Sequence, residues 1–449
     1  MQRRLPIARL AAYAAPALPL AVLQLPVYLF VPAFYAVLPG ISTAGIGWTL
    51  IAVRLLDGVT DPLMGWLTDR TPVAFGRRKV WLLLGAPLAA IFAWALFRPP
   101  ADATLAWFAL SSAGLTLAWT IAMVPYYAWG AELSGDYAER ARITGVRESA
   151  GVLGTLIATA TPAVAAGLGF SASGDSLSIL AIGLAVSLPL AAGIAAIGVP
   201  EPQVYSVQRV GLRDGLAALG QNRPFLILIA AFLLNGIANG LPATLFLFFA
   251  THVLASPESA GPLLFAYFLC GIAGVPVWVW IARRIGKAQA WIIAMLIACP
   301  VFALVPFVVG RGDVTAFLAV CVVTGFCVGA DLTLPGAMQA DVVDVDTADS
   351  GEQRTGLYMA LWGLATKLAL ALTGLTLPVL DWAGFDARAA TQTPGATLWL
   401  AGLYAWAPVA FKAAAIALMA LFPITPQSQA ATRALIEQRF SASTIPSPT

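Results

Sequence analysis

Charge is scarce in this chain. Of its 449 residues 10% are Asp, Glu, Lys or Arg, against about 25% in soluble globular proteins, whose surfaces must be hydrated. With 60% hydrophobic residues and a mean hydropathy of +0.84, the composition excludes a soluble enzyme and disorder over most of the chain. Histidine is nearly absent: His252 alone makes neither a zinc site nor, without a nucleophile motif, a His-centred triad. The four cysteines, Cys270, Cys299, Cys321 and Cys327, lie in apolar runs without the spacing of a disulfide framework or metal centre, and read as small core residues. No metal, no cofactor and no enzymatic activity are expected. The net charge of +3 is too slight to imply a polyanionic partner, so no nucleic acid is expected either.

What the chain has is long apolar runs. Twelve stretches reach the roughly 20 residues that cross a bilayer: 10–38, 41–68, 80–98, 103–131, 144–170, 175–199, 223–252, 259–282, 288–310, 313–340, 356–381 and 396–424. The start, MQRRLPIARL, has the basic region of a signal peptide, but the apolar run continues to about Leu38, twice a signal core, and reads as an uncleaved first span. Lys and Arg fall almost entirely on one set of loops (Arg3, Arg4, Arg9; Arg70, Arg77, Arg78, Lys79; Arg140, Arg142; Arg209, Arg213, Arg223; Arg283, Arg284, Lys287; Arg354; Arg433, Arg439), while the opposite loops hold Arg98, Arg311 and Arg388. The positive-inside rule then puts both termini in the cytoplasm, which requires an even number of crossings. The polar stretch Pro200 to Asn222 splits the spans six and six. GWLTDR with GRRK after the second span and VWIARRIGK after the eighth form a weak repeat, suggesting duplicated bundles around a central site, as in transporters. The expected organisation is a first bundle over 1–199, a cytoplasmic linker over 200–222, a second bundle over 223–424 and a disordered cytoplasmic tail over 425–449.

Ionisable residues at membrane depth are expensive and therefore informative. RLLDGVTDPLMG puts Arg54, Asp57 and Asp61 at i, i+3 and i+7 on one helix face, with Thr60 beside them. Two carboxylates and a hydroxyl on one wall suit a cation cage; a buried Arg54–Asp57 pair that fixes packing is the alternative, but Arg54 neutralises one carboxylate and leaves the other needing a cation, a proton or a Lys. Lys367 lies near mid-bilayer, with Asp57 or Asp61 as a partner across the bundles or Asp331 as a packing partner. Lys412, without an acid nearby in sequence, reads as structural. Arg147 enters either a central cavity, to hold a hydroxylated or anionic solute, or a surface pair with Glu148, Asp136 or Glu139. Asn235 and Asn239 at i, i+4 suit solute hydrogen bonding, yet Gly236 and Gly240 make helix packing with amide glue an equal explanation. Tyr126 and Trp129 with Trp119 and Tyr127 in the fourth span, and Trp362 in the eleventh, offer ring faces for a sugar, against belt or core placement.

The segments Arg54 to Lys79, Val124 to Glu148 and Gln339 to Lys367 together resemble the glycoside-pentoside-hexuronide cation symporters of the major facilitator superfamily, typified by melibiose permease, and the likeness extends over most of the chain. The resemblance implies an all-α integral membrane protein, twelve transmembrane helices in two pseudo-symmetric six-helix bundles. It implies that Asp57 and Asp61 belong to the cation site, with Thr60 where the family often has Asn, that Lys367 lies beside that site, and that Arg147 faces the substrate. Asp341, Asp344, Glu352 and Arg354 match the family's cytoplasmic acidic loop, whose gating pairs would form with the basic loop around Asp69, Arg77 and Arg78. Two departures stand out: residues 10–38 and 103–131 hold no charge where galactoside-type members carry acids, and Met123 stands near one of those places.

The expected function is Na⁺- or H⁺-coupled symport of a sugar or glycoside-like solute by alternating access, with an uncoupled facilitator or carrier of a lipid-like solute as the alternative. A monomer in the plasma membrane, in the manner of a bacterial inner-membrane protein, with a small-molecule solute and the bilayer as its partners, is expected.

Overall fold

The computed structural model describes residues 5–71, 76–134, 137–169, 172–200, 220, 222–350, 355–432 and 435. All regular structure among them is helical. The first span is broken into α1 (Ile7–Ala14), α2 (Ala17–Leu29) and α3 (Val31–Ala36). Its breaks coincide with Pro16, just before α2, and Pro32, in the first turn of α3, where a missing backbone N–H is least costly. Then follow α4 (Thr43–Arg70), α5 (Lys79–Phe97), α6 (Leu105–Glu132), α7 (Tyr137–Gly167) and α8 (Ala172–Gly198). Ser42 caps α4 by accepting from the Gly45 N–H, and Thr104 caps α6 by accepting from that of Trp107.

The remaining helices are α9 (Arg223–His252), α10 (Ala260–Ile285), α11 (Lys287–Val308), α12 (Val314–Ser350), α13 (Thr355–Thr373), α14 (Thr376–Trp382), α15 (Pro394–Ala401) and α16 (Ala407–Met419), the last two joined by a π-helical turn at Gly402–Trp406. A single residue, Gly286, separates α10 from α11. Its φ of 96° is open to glycine and strained for any side chain.

Among the described residues, ten helical segments are long and apolar enough to cross a membrane. The other two long helices, α4 and α7, span 28 and 31 residues and carry several charges each, from Arg54 onward in α4 and up to Glu148 in α7. Two helices outrun their hydropathy: α7 begins at Tyr137 rather than 144 and α12 runs to Ser350 rather than 340, because apolar runs mark the hydrocarbon whereas a helix continues into water wherever its residues favour it. Where the tail was expected to be disordered, residues 426–432 are helical. Thr425 and Ser428 bond each other's backbone N–H reciprocally there, a cap that starts a helix locally.

By packing, the chain forms two compact units that cut across the expected boundaries at 199 and 223. The first comprises 1–207, 243–265 and 371–400, the second 208–242, 266–370 and 401–449. In the first, α5 packs on α6 and α8, α2 on α7, and α4 on both α6 and α14. The α4–α14 crossing is close because Gly47 has no side chain: a Cβ there would run into Pro378 of α14 and lie 2.7 Å from the carbonyl oxygen of Gly374, just before that helix. In the second unit α11 packs on α12 and α16 around a core that includes Trp278, Trp291, Met295, Met338 and Tyr358. Leu110, Val186, Ile197 and Phe307 are among many large apolar side chains left exposed, as lipid contact requires.

Candidate functional site

Helix α4 and the middle of α6 build the first cluster. Asp57 is 3% exposed. One of its oxygens, Oδ2, accepts from Arg54 Nη1 at 3.3 Å, and the Arg54 guanidinium lies 4.4 Å from the centre of the Tyr28 ring on α2. From α6, the Thr120 hydroxyl lies 3.0 Å from Asp57 Oδ1 and 3.0 Å from Asp61 Oδ1. A hydroxyl carries one hydrogen, so Thr120 donates to one of the two carboxylates at a time, and the three oxygens together form an oxygen-rich corner between α4 and α6. Thr60, the hydroxyl that spacing placed beside the aspartates, turns to its own helix and bonds the Asp57 carbonyl oxygen at 3.4 Å.

Next to this cluster are two adjoining cavities that share Gln24 and Trp119. The smaller touches Tyr28, Arg54, Asp57 and Thr116. The larger, of about 190 Å³, is walled by α2, α6 and α7 and lined by Met123, Tyr126, Tyr127 and Arg147 among others. Arg147 donates to Glu148 Oε1 through Nε and Nη2, at 3.2 and 2.6 Å, while its guanidinium sits 4.1 Å from the Tyr127 ring centre. Its side chain is 15% exposed, against 62% for Glu148. Arg147 thus lines this cavity of the first unit and also forms the pair with Glu148.

The other expected solute contacts are dispersed. Tyr126 lines the larger cavity, but its hydroxyl donates to the Tyr13 carbonyl while Tyr13 returns a bond to that of Tyr126. Trp129 is fully buried and its indole N–H donates to the Pro200 carbonyl. In the second unit Trp362 stacks on Phe232 at 3.8 Å between ring centres, and Asn235 and Asn239 both donate to Asp331, at 3.0 and 2.8 Å. Lys367 is half-buried in α13.

Of the expected gating residues, Arg78 binds Glu132 through two nitrogens and donates to the buried Thr68, tying the end of α4 and the start of α5 to the end of α6. Arg77 joins Glu132 at 3.2 Å. Asp341 pairs with Lys287 at 2.6 Å and accepts from Gln429. Asp344 is half-buried on α12. The side chain of Asp69, Arg354 and Glu352 lie outside the described residues, as do most of the linker over 200–222 and the end of the tail.

The model of the MFS/sugar transport protein family matches residues 12–426. The chain belongs to that family. Its members and structural neighbours among the matches are transporters, and so is this protein, a multi-pass membrane protein rather than an enzyme. It is 26% identical over 434 residues to the human sodium-dependent lysophosphatidylcholine symporter 1, covering 88% of this chain and 79% of that one. It is likewise 26% identical over 417 residues to YagG of Escherichia coli (strain K12), a protein named for glycoside/cation symport, covering 90% of each. Among solved structures, a bacterial homologue of the human lysosomal transporter Spinster, inward-facing and unoccupied, matches with a TM-score of 0.64 at 15% identity over 96% of this chain and 97% of that one. The nucleoside transporter NupG matches with a TM-score of 0.64 at 16% identity over 94% of this chain and 100% of that one. These likenesses establish the major facilitator fold.

Sequence reasoning missed Thr120, although Thr116 and Thr120 one turn apart in an otherwise apolar stretch of α6 were a signal. It also missed the Asp331 cluster that gathers Asn235, Asn239, Trp291 and Lys412, whose members lie up to 177 positions apart and have no common spacing.

Proposed function

We propose that the protein is a cation-coupled symporter, with Asp57, Asp61 and Thr120 as the ion site and the cavity at Arg147 as the solute site. The observation that carries the reading is the single Thr120 hydroxyl within 3.0 Å of both carboxylates, an oxygen-rich arrangement of the kind that holds hard cations. Gln24 and Trp119 belong to both neighbouring cavities, so binding at one bears on the other through shared side chains, and such coupling is reciprocal. Lys367 is assigned to the same chemistry on the family's charge pattern.

The solute that this cavity suits is an amphiphile with an anionic head. The Arg147 guanidinium is seated on an aromatic face with its fork on Glu148, a carboxylate that the phosphate or carboxylate of the solute would replace, and Ala17, Leu20, Ala21, Met123 and Val152 supply apolar wall. The similarity to lysophosphatidylcholine symporters supports this class. A glycoside is the second reading, favoured by the Trp119 and Tyr127 rings and by the similarity to YagG.

The test is counterflow and uphill uptake in proteoliposomes, offering a lysophospholipid and a nitrophenyl glycoside under imposed Na⁺ or proton gradients. Gradient-driven accumulation of the lysophospholipid is expected. Accumulation of the glycoside instead supports the second reading, and transport indifferent to both gradients refutes coupling.

A further inference from the structure

The second unit holds a buried charge cluster that the coupling site does not use. Asp331 on α12 accepts from Asn235 Nδ2 at 3.0 Å and Trp291 Nε1 at 2.6 Å through Oδ1, and from Asn239 Nδ2 at 2.8 Å through Oδ2. The ammonium of Lys412, on α16, lies 3.6 Å from Oδ2 and donates to Asn235 Oδ1 at 2.7 Å. The Lys412 and Asp331 side chains are 4% and 12% exposed. A carboxylate has about four lone-pair sites; here three take N–H bonds and the fourth faces the ammonium. Asn235 is spent on both sides, giving its N–H to Asp331 and its oxygen to Lys412. A small cavity beside the pair is lined by Asn239, Tyr267, Thr324, Cys327, Asp331 and Lys412.

Stability does not call for this arrangement, because a buried ion pair is commonly matched or bettered by apolar residues of the same volume. Its geometry is that of a cation site: a carboxylate oxygen and an amide oxygen converge on one positive centre, with the hydroxyl-bearing Tyr267 and Thr324 on the wall of the adjoining space. Hard monovalent and divalent cations are held by such oxygen sets.

We infer that the Asp331–Asn235 cluster is a cation site whose occupant is built into the chain, the Lys412 ammonium serving as a tethered ion. This cluster therefore takes no exchangeable cation, and one bound ion, that of the coupling site, is expected per protein. This count rests on the coupling reading above, whereas the identity of the Asp331 cluster as a cation site does not.

The experiment is an equilibrium count of bound ²²Na⁺ on the purified full-length protein, with thermal unfolding in NaCl against choline chloride. The native chain is expected to bind one Na⁺. Lys412→Met is expected to bind one more than the native chain, to unfold earlier in choline, and to recover most of that loss in NaCl. Adding Asp331→Asn to Lys412→Met is expected to abolish both the extra ion and the recovery. No extra ion in Lys412→Met, or an extra ion that survives Asp331→Asn, overturns the inference. If Lys412→Met does not fold, Asp331→Asn alone decides: the native count is expected to persist, and a count reduced by one means that Asp331 holds an exchangeable ion and the inference is wrong. A native chain that binds no Na⁺ refutes sodium coupling at Asp57 and Asp61, while the gain of one ion in Lys412→Met still supports the tethered cation.

Discussion

Thr120→Val removes one oxygen from the place where Asp57 and Asp61 meet, at nearly constant volume. The native hydroxyl stands 3.0 Å from an oxygen of each aspartate. A hydrogen bond to a charged group contributes about 1.5–3 kcal/mol, and a factor of ten in affinity corresponds to roughly 1.4 kcal/mol. Losing the hydroxyl should therefore weaken cation affinity by roughly 10- to 100-fold. The assay is initial uptake rate against Na⁺ concentration, repeated against pH, in proteoliposomes. The cation concentration for half-maximal rate should rise by that factor, with solute affinity at saturating cation little changed, and Thr120→Ser should restore the native curve. If Thr120 merely seats α6 on α4, Thr120→Val lowers the unfolding temperature and leaves the cation curve where it was. That outcome refutes the ion site as drawn.

Arg147→Lys keeps the charge and loses the bidentate fork and the stacking on Tyr127; solute half-saturation should rise at least tenfold with the cation curve unmoved, read from the same uptake assay. Trp291→Phe deletes the 2.6 Å indole bond to buried Asp331 and should lower stability by about 1–3 kcal/mol, measured by thermal unfolding in detergent. Gly47→Val places a side chain against the Gly374 carbonyl and should cost about 1–3 kcal/mol by overpacking, with Gly47→Ala intermediate in the same unfolding measurement.

The helices were legible in the sequence because a bilayer imposes one length on every apolar run, and α4 stood out because charges at 54, 57 and 61 break such a run. Their partners were not legible. Arg54 and Asp57 meet because they are one turn apart, a distance that sequence spacing encodes. Lys412 and Asp331 lie far apart in the chain and meet through the packing of α16 and α12 against α11, which no local pattern states. Aromatic roles were equally hidden. Trp129 and Trp119 sit on the same helix, α6, yet one is sealed in the core with its N–H on Pro200 and the other lines both cavities. The hydroxyls show the same limit: Thr60 is nearer to the aspartates in sequence, but its helical position lets it bond its own backbone, and Thr120 arrives from another helix.

Cation coupling at Asp57 and Asp61 is most directly tested by solute accumulation in proteoliposomes holding the native chain or its Asp57→Asn and Asp61→Asn variants. The native protein should concentrate the solute only while an inward Na⁺ or proton gradient is maintained. Each variant should equilibrate the solute, or exchange it, without concentrating it. Accumulation by either variant equal to that of the native chain would contradict the account.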